Sequence, residues 1–348
     1  MGWYHAIQLI EGKCPSATLA HIVEPWFLGG GASGPGGAEF ATFVAANPQI
    51  SFHSSLATLP LPSSSKPRLV LISGRTADNP RLLTECIALG VKTIYLEKPG
   101  APTVAELDAM SSAATASNVS VLMGYNKNVC KYVRKVRENF ASNETPPNSF
   151  VTFVTNNAYE PSDASLGECF ERNREGMLKN MAIHELCLLV SFFDVTVENI
   201  AKVEVDKSFS SMKSLKGPSG DTFTDFDKIK FKIFTKAGAG KNGVSVQADR
   251  CGGETSWATV SDASSGKESF RWSMPDEEDE ANVEKLKKKY PDAMPYFFSQ
   301  DPDYITVKER VAKTAADGSV AEGIATIKIA CETMRVAEWL KEECEKQL

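Results

Sequence analysis

MGWYHAIQLIEGKCPSATLAHIVEP, residues 1–25, opens as a helix and closes as a strand. Trp3, Ile7 and Ile10 recur at helical spacing, so residues 3–11 read as an amphipathic helix. A loop at Gly12-Lys13-Cys14-Pro15 follows, and Ala17 to Val23 reads as a short buried strand that stops at Glu24-Pro25. A glycine at a helix start, then a strand, then an acidic residue about twenty positions on, make the back half of a dinucleotide-binding βαβ unit. The front half would be an apolar strand running into a Gly-rich turn, of which Met1-Gly2 reads as the tail.

Outward from this unit the alternation continues. Ile50-Ser51-Phe52 is a strand candidate, and the Ser-rich residues 62–67 form a loop. RLVLI (68–72) is an apolar strand ending at Ser73-Gly74-Arg75. Pro80 to Leu89 is helical, Val91 to Leu96 a buried strand, Val104 to Ser117 helical, and Val119 to Met123 the next strand. Strands alternating with helices of this length predict a parallel, doubly wound sheet. GGGASGPGGAEF (29–40) reads as a flexible insertion, with a phosphate-binding loop as the alternative.

After residue 150 the period changes. Phe150 to Thr155, KIKFKIFTK (228–236) and GVSVQAD (243–249) alternate with period two, as half-exposed antiparallel strands do. Gly176 to Phe193 reads as one helix, and Ala321 to Lys346 as a long closing helix with Ile324, Ile327, Ala330, Met334 and Ala337 on its apolar face. DEEDEANVEKLKKK (276–289) reads as a solvated surface helix, a partner-binding helix being the alternative. The boundaries that follow are an N-terminal domain over 1–125 and a second α/β domain over 126–348.

Composition narrows the function. With 38 basic against 44 acidic residues in 348, the net charge is -6, which argues against nucleic acid as partner. Eight cysteines without a C-x-x-C pair read as buried free thiols in a reducing compartment, hence the cytoplasm, with a disulfide framework or zinc site as the alternative. No metal site is indicated. Neither an export leader nor an apolar run near twenty residues stands in the sequence, so no membrane role is expected and the sequons at Asn118 and Asn143 carry no glycan. A segment ahead of Met1 could still hold a targeting peptide.

Two motifs carry chemistry. Glu97-Lys98-Pro99 directly follows the strand TIYL, and a lysine there points into the crevice where parallel sheets bind ligands. Its ammonium can exchange a proton with a substrate hydroxyl; a solvated strand-end lysine paired with Glu97 is the plainer alternative. In EGMLKNMAIHELCLL (175–189), Gly176, Asn180, His184 and Cys187 share one helical face. An imidazole there can give or take a proton near neutral pH, unless it is simply a hydrogen-bonded core histidine. Lys179 reads as the helical partner of Glu175.

EKP after a βαβ series, GYNKNV (124–129), the histidine-bearing helix and VAEGIATIKIACETMRVAEWL (320–340) together resemble the glucose–fructose oxidoreductase / inositol dehydrogenase / MocA-like (Gfo/Idh/MocA) family. The resemblance spans nearly the whole chain. It implies a Rossmann domain, here without its first strand, and a C-terminal α/β domain with an open, mostly antiparallel sheet used in homo-oligomerisation. It implies NAD(P)-dependent oxidation or reduction of sugars, polyols or related hydroxy compounds. Lys98 and His184 fall on the family's catalytic lysine and histidine, and Tyr125 and Asn180 on substrate-positioning sites. Asn180 stands where the family often has aspartate, and Asn79 near the place of a common histidine, which departs from a sugar-specific pattern. Cofactor contacts fall on Gly2, Glu24, Ser73, Asn79, Glu97 and Lys98. Glu24 takes the position that holds the adenosine ribose, favouring NAD while NADP stays possible. A cis Lys98-Pro99 bond is also implied.

A non-catalytic ligand or dinucleotide sensor on the same fold is the alternative function. Transcript sequence upstream of Met1 is expected to encode, in frame, an apolar strand ending in G-x-G-x. An in-frame stop codon immediately before Met1 in authentic transcripts would contradict that expectation.

Overall fold

Helix α1 (Gly2–Ile10) leads into strand β1 (His21–Val23), and α2 (Gly37–Ala46) returns the chain to β2 (Ser51–His53), parallel to β1 with Ile22 opposite Phe52. The computed structural model describes residues 1–60, 67–142, 145–291, 293 and 295–348. The expected loop at 62–66 and the Asn143 sequon lie outside them. β3 (Leu69–Ile72), α3 (Asn79–Ala88), β4 (Thr93–Leu96), α4 (Val104–Ala116) and β5 (Ser120–Met123) repeat the winding and give a parallel sheet in the order β3-β4-β5. TIYL in β4 is buried at every position because it has a strand on both sides. Among the described residues β1 pairs only with β2, and β3 only with β4, so each keeps an open edge. Thr103 and Glu106 close a capping box that starts α4 beneath the end of β4.

The second half runs α5 (Lys131–Phe140), β6 (Ser149–Asn156), α6 (Asp163–Arg172), α7 (Met177–Asn180), α8 (Ile183–Phe192), β7 (Ile200–Val205), β8 (Ser211–Lys216) and β9 (Thr222–Thr235). It continues through β10 (Val244–Asp249), β11 (Ser256–Asp262), β12 (Glu268–Met274), α9 (Glu277–Lys289), α10 (Pro295–Ser299), α11 (Asp301–Asp317) and α12 (Ile327–Gln347). Seven strands form one sheet in the order β12-β11-β6-β10-β9-β7, with β8 against β9. Only β6 and β10 pair in parallel; the other pairs are antiparallel. Helix α12 packs against both α4 and α8. One apolar core therefore runs from Leu96 and Met123 through Leu186 and Ala337 to Phe153. Helix α9 is the expected solvated helix, with acidic residues in its first turn, lysines in its last and only Leu286 buried.

Several sequence expectations change in the structure. Helix α1 buries Tyr4, His5, Ala6 and Gln8, and leaves Trp3 44% exposed. Its polar side turns inward because Asp301 receives the Tyr4 hydroxyl (2.6 Å) and the Gln8 amide (2.7 Å), which removes the cost of burying them. The strand expected from Ala17 covers only His21–Val23 and is half-buried. Residues 37–40 of the Gly-rich stretch belong to α2. The helix expected from Gly176 to Phe193 is two helices, because Ala182 N–H reaches back five residues to Met177 O (2.9 Å) and opens the turn. The closing helix starts at Ile327 and not at Ala321. The backbone just before it lies along β5, where Met123 N–H donates to Ala325 O (2.8 Å) and Thr326 bridges Leu122.

Arg250 fixes the start of α7. Fully buried, it donates to Asp225 Oδ2 (2.6 Å) and to Cys169 Sγ (2.9 Å), while Asp225 accepts the Met177 N–H (2.9 Å). Gly176 makes the tight approach with φ +86°, in the region glycine favours. R250M strands the Asp225 carboxylate in the interior and is expected to cost about 3–5 kcal/mol of stability. Urea unfolding checks this, and an unchanged midpoint would contradict it.

Candidate functional site

At the carboxyl end of β4 the chain turns through Glu97-Lys98-Pro99-Gly100, with the Lys98-Pro99 peptide cis as the resemblance implied. Gly100 has φ +102°, and a Cβ there would stand 2.8 Å from Leu107 Cδ1, so no larger residue fits the bend. Asn79, the first residue of α3, donates its amide to Gly100 O (2.9 Å) and latches the turn from behind. Asn79 is buried, and its Oδ1 has no partner among the described residues.

Glu97 is the anchor of this corner. Its Oε1 accepts His5 Nε2–H (2.8 Å) and the Tyr95 hydroxyl (2.8 Å). The Lys308 ammonium donates to His5 Nδ1 (3.1 Å), which fixes the proton on Nε2, and also to Gln8. Burial pulls the Glu97 carboxyl upward, yet the His5 and Tyr95 hydrogen bonds and the Lys98 charge hold it below the ordinary range. Burial and the Lys308 charge hold His5 below the usual histidine range, and burial brings Lys308 down to about 8. This chain ties α1 to β4 and sets Gly2 against Ser73 at the end of β3, where a Cβ on Gly2 would lie 2.7 Å from Ser73 Oγ. At the end of β1, Glu24 Oε1 accepts the N–H groups of Trp26 (3.0 Å) and Phe27 (3.4 Å), and among the described residues no donor reaches its Oε2.

His184 enters the same corner from the second half. It stands in the first turn of α8, buried, with its ring edge-on to Tyr125 at 5.9 Å. Burial, then the ammonium charges of Lys98 and Lys127, push its pKa well below the usual histidine value, so it is neutral at pH 7. Lys98 and His184 thus stand within electrostatic reach although one follows strand β4 and the other stands on helix α8. Tyr125 is fully buried beside His184, its pKa raised by burial and by the thiols of Cys187 and Cys331, and its hydroxyl has no partner among the described residues. Asn180 is half-buried and donates to Glu175 Oε1 (2.7 Å). Lys179, expected to pair with Glu175, reaches Glu338 instead (2.6 Å), because the opened turn swings it toward α12.

One pair escaped the sequence reading. Lys127 donates to Glu185 Oε1 (2.5 Å) and Thr155 Oγ1 (3.0 Å), deep between α8 and β6. The signal was available: a lysine inside GYNKNV and a glutamate inside the apolar IHELCLL each need a buried partner. Around this pair Tyr125 OH, Asn126 Oδ1, Asn128 Oδ1, His184 Nδ1 and Glu185 Oε2 are buried without partners among the described residues. Each such atom costs about 1–3 kcal/mol, so their concentration behind one corner marks a site that keeps polar groups for use. A neutral imidazole beside an ammonium can accept a hydroxyl proton while the cation steadies the oxygen left behind. Among the described residues no group of three or more His, Cys, Asp or Glu could hold a metal.

No protein-family model and no curated protein matches the chain. Solved structures do. The chain is similar to a probable dehydrogenase from Thermotoga maritima, at 13% identity and TM-score 0.69 over 100% of this chain and 94% of that one. It is similar to a myo-inositol dehydrogenase from Corynebacterium glutamicum ATCC 13032, at 15% identity and TM-score 0.66 over 98% and 92%. A third is scyllo-inositol dehydrogenase from Lactobacillus casei with bound cofactor NAD(H) and scyllo-inositol, at 10% identity and TM-score 0.64 over 99% and 94%. At these identities the likeness establishes the fold, and the expected Rossmann-type sheet plus mostly antiparallel sheet is borne out along the whole chain.

His184 is expected to titrate below pH 6.5. Nitrogen chemical shifts of the labelled imidazole, followed against pH, measure this directly. A midpoint at or above 6.5 would contradict the buried, cation-flanked placement.

Proposed function

We propose that the protein is an NAD-dependent oxidoreductase of the Gfo/Idh/MocA family, acting on the hydroxyl or carbonyl carbon of a small polar substrate. The observation that carries the reading is a buried His184 kept neutral by burial and by the ammonium charges of Lys98 and Lys127. The dinucleotide, when bound, supplies the hydride acceptor or donor. Its fit to the chain rests on the free Oε2 of Glu24 for ribose hydroxyls and on the close approach of Gly2 to Ser73 beside the strand ends. Glu24 favours NAD over NADP because a 2′-phosphate would meet its charge.

In the oxidising direction His184 accepts the substrate hydroxyl proton, and the Lys98 ammonium stabilises the developing alkoxide. Asn180 orients a substrate hydroxyl. Tyr125 supports the His184 ring from behind. Glu97 and Asn79 hold the turn that carries Lys98. The polyol dehydrogenases among the similar structures support a sugar-like or polyol substrate. The open face of the seven-stranded sheet, with Thr152, Lys232, Thr259 and Arg271 upon it, is the surface for a second copy of the chain. Eight free thiols support a cytoplasmic location. No helix among the described residues is long and apolar enough to cross a membrane.

The sensor reading draws on Asn180, an amide where the family often carries a carboxylate. Turnover separates the two. K98M and H184N should each lower single-turnover hydride transfer on the order of a hundredfold, with little change in NAD affinity. Parent-like transfer in both variants would remove the catalytic assignment and leave the sensor.

A further inference from the structure

Trp26 is 62% exposed, more than any other large apolar side chain among the described residues, and it lies two residues beyond Glu24 at the carboxyl end of β1. An indole in water usually hangs free, but this one is held. Its backbone N–H donates to Glu24 Oε1 (3.0 Å), and its backbone carbonyl accepts from Gly29 N (3.1 Å) and Gly31 N (2.9 Å). A Cβ built on Gly31 would fall 2.2, 2.4 and 2.5 Å from Nε1, Cε2 and Cδ1 of the indole. Three neighbouring ring atoms at nearly one distance mean that the Gly31 backbone lies under the face of the pyrrole ring. One face of Trp26 therefore rests on bare backbone and the other is open to solvent.

We infer that the open face of Trp26 is the stacking platform for the adenine of the dinucleotide; this rests on the cofactor reading above. A flat, pre-oriented aromatic face takes a purine without needing its hydrogen-bonding edge, and alanine in its place commonly costs tenfold or more. Glu24 couples the two halves of the subsite. The oxygen that fixes the Trp26 backbone belongs to the same carboxylate whose other oxygen faces a ribose. The glycines of 29–31 serve this arrangement, since any side chain on Gly31 displaces the indole. The Gly-rich stretch is thus neither a loose insertion nor a phosphate loop but the bed of an aromatic platform.

The test compares three probes by calorimetric titration of the full chain: NAD+, ADP-ribose, which lacks nicotinamide, and nicotinamide mononucleotide, which lacks adenosine. W26A and G31A should weaken NAD+ and ADP-ribose by about tenfold, which corresponds to about 1.4 kcal/mol, and leave nicotinamide mononucleotide unchanged. W26F should recover most of the loss. Unchanged NAD+ affinity in W26A, or an equal loss for the mononucleotide, would overturn the platform while leaving the cofactor reading intact. Failure of the parent to bind either NAD+ or ADP-ribose would overturn both.

Discussion

A buried carboxylate at the end of a parallel strand needs donors, and Glu97 obtains them from two places. His5 comes from α1 and Tyr95 from β4 itself, with Lys308 of α11 backing His5. Remove these donors and Glu97 becomes an unpaired ion in a nearly dry corner. Keep them, and α1, β4 and α11 are locked at the position where the crevice opens. Lys98, the next residue, inherits that rigidity. In the proposed function, the side chain that meets the reacting oxygen is thus carried by a turn whose neighbours cannot shift independently.

The second half reaches the same corner by a similar device. Arg250 and Asp225 set the first turn of α7, the opened turn at Ala182 resets the helical phase, and His184 then stands in the first turn of α8 beside Tyr125. Lys127 and Glu185 form a buried pair directly behind it. Such a pair adds little net stability over apolar side chains, so its retention points to placing charge near His184 more than to holding the fold. The ammonium of Lys127 adds to that of Lys98 in keeping the imidazole neutral. Stability and reactivity are therefore drawn from different groups: α8, α12 and the sheets supply the apolar core, while the corner keeps polar atoms unpartnered.

Much of the fold was legible because apolar runs such as TIYL and RLVLI admit only one reading between helices of ten or more residues. EKP and the histidine helix were legible because a charged or titratable residue interrupts an apolar stretch at a position that faces the crevice. What escaped was everything decided by tertiary partners. The buried face of α1 is polar only because Asp301, almost three hundred residues away, can satisfy it. The break between α7 and α8 leaves no glycine or proline to announce it. The pairing of Lys127 with Glu185 joins residues 58 apart, and neither one alone tells of the other.

If Lys98 and His184 serve one oxygen, their contributions to hydride transfer cannot be independent. A double-mutant cycle measured in single turnover tests this most directly, comparing K98M, H184N and the combined variant against the parent. The account predicts that the combined variant is little slower than the more damaged single one, because either loss already disables the shared step. A combined loss equal to the product of the two single losses would mean separate tasks, and would contradict the account.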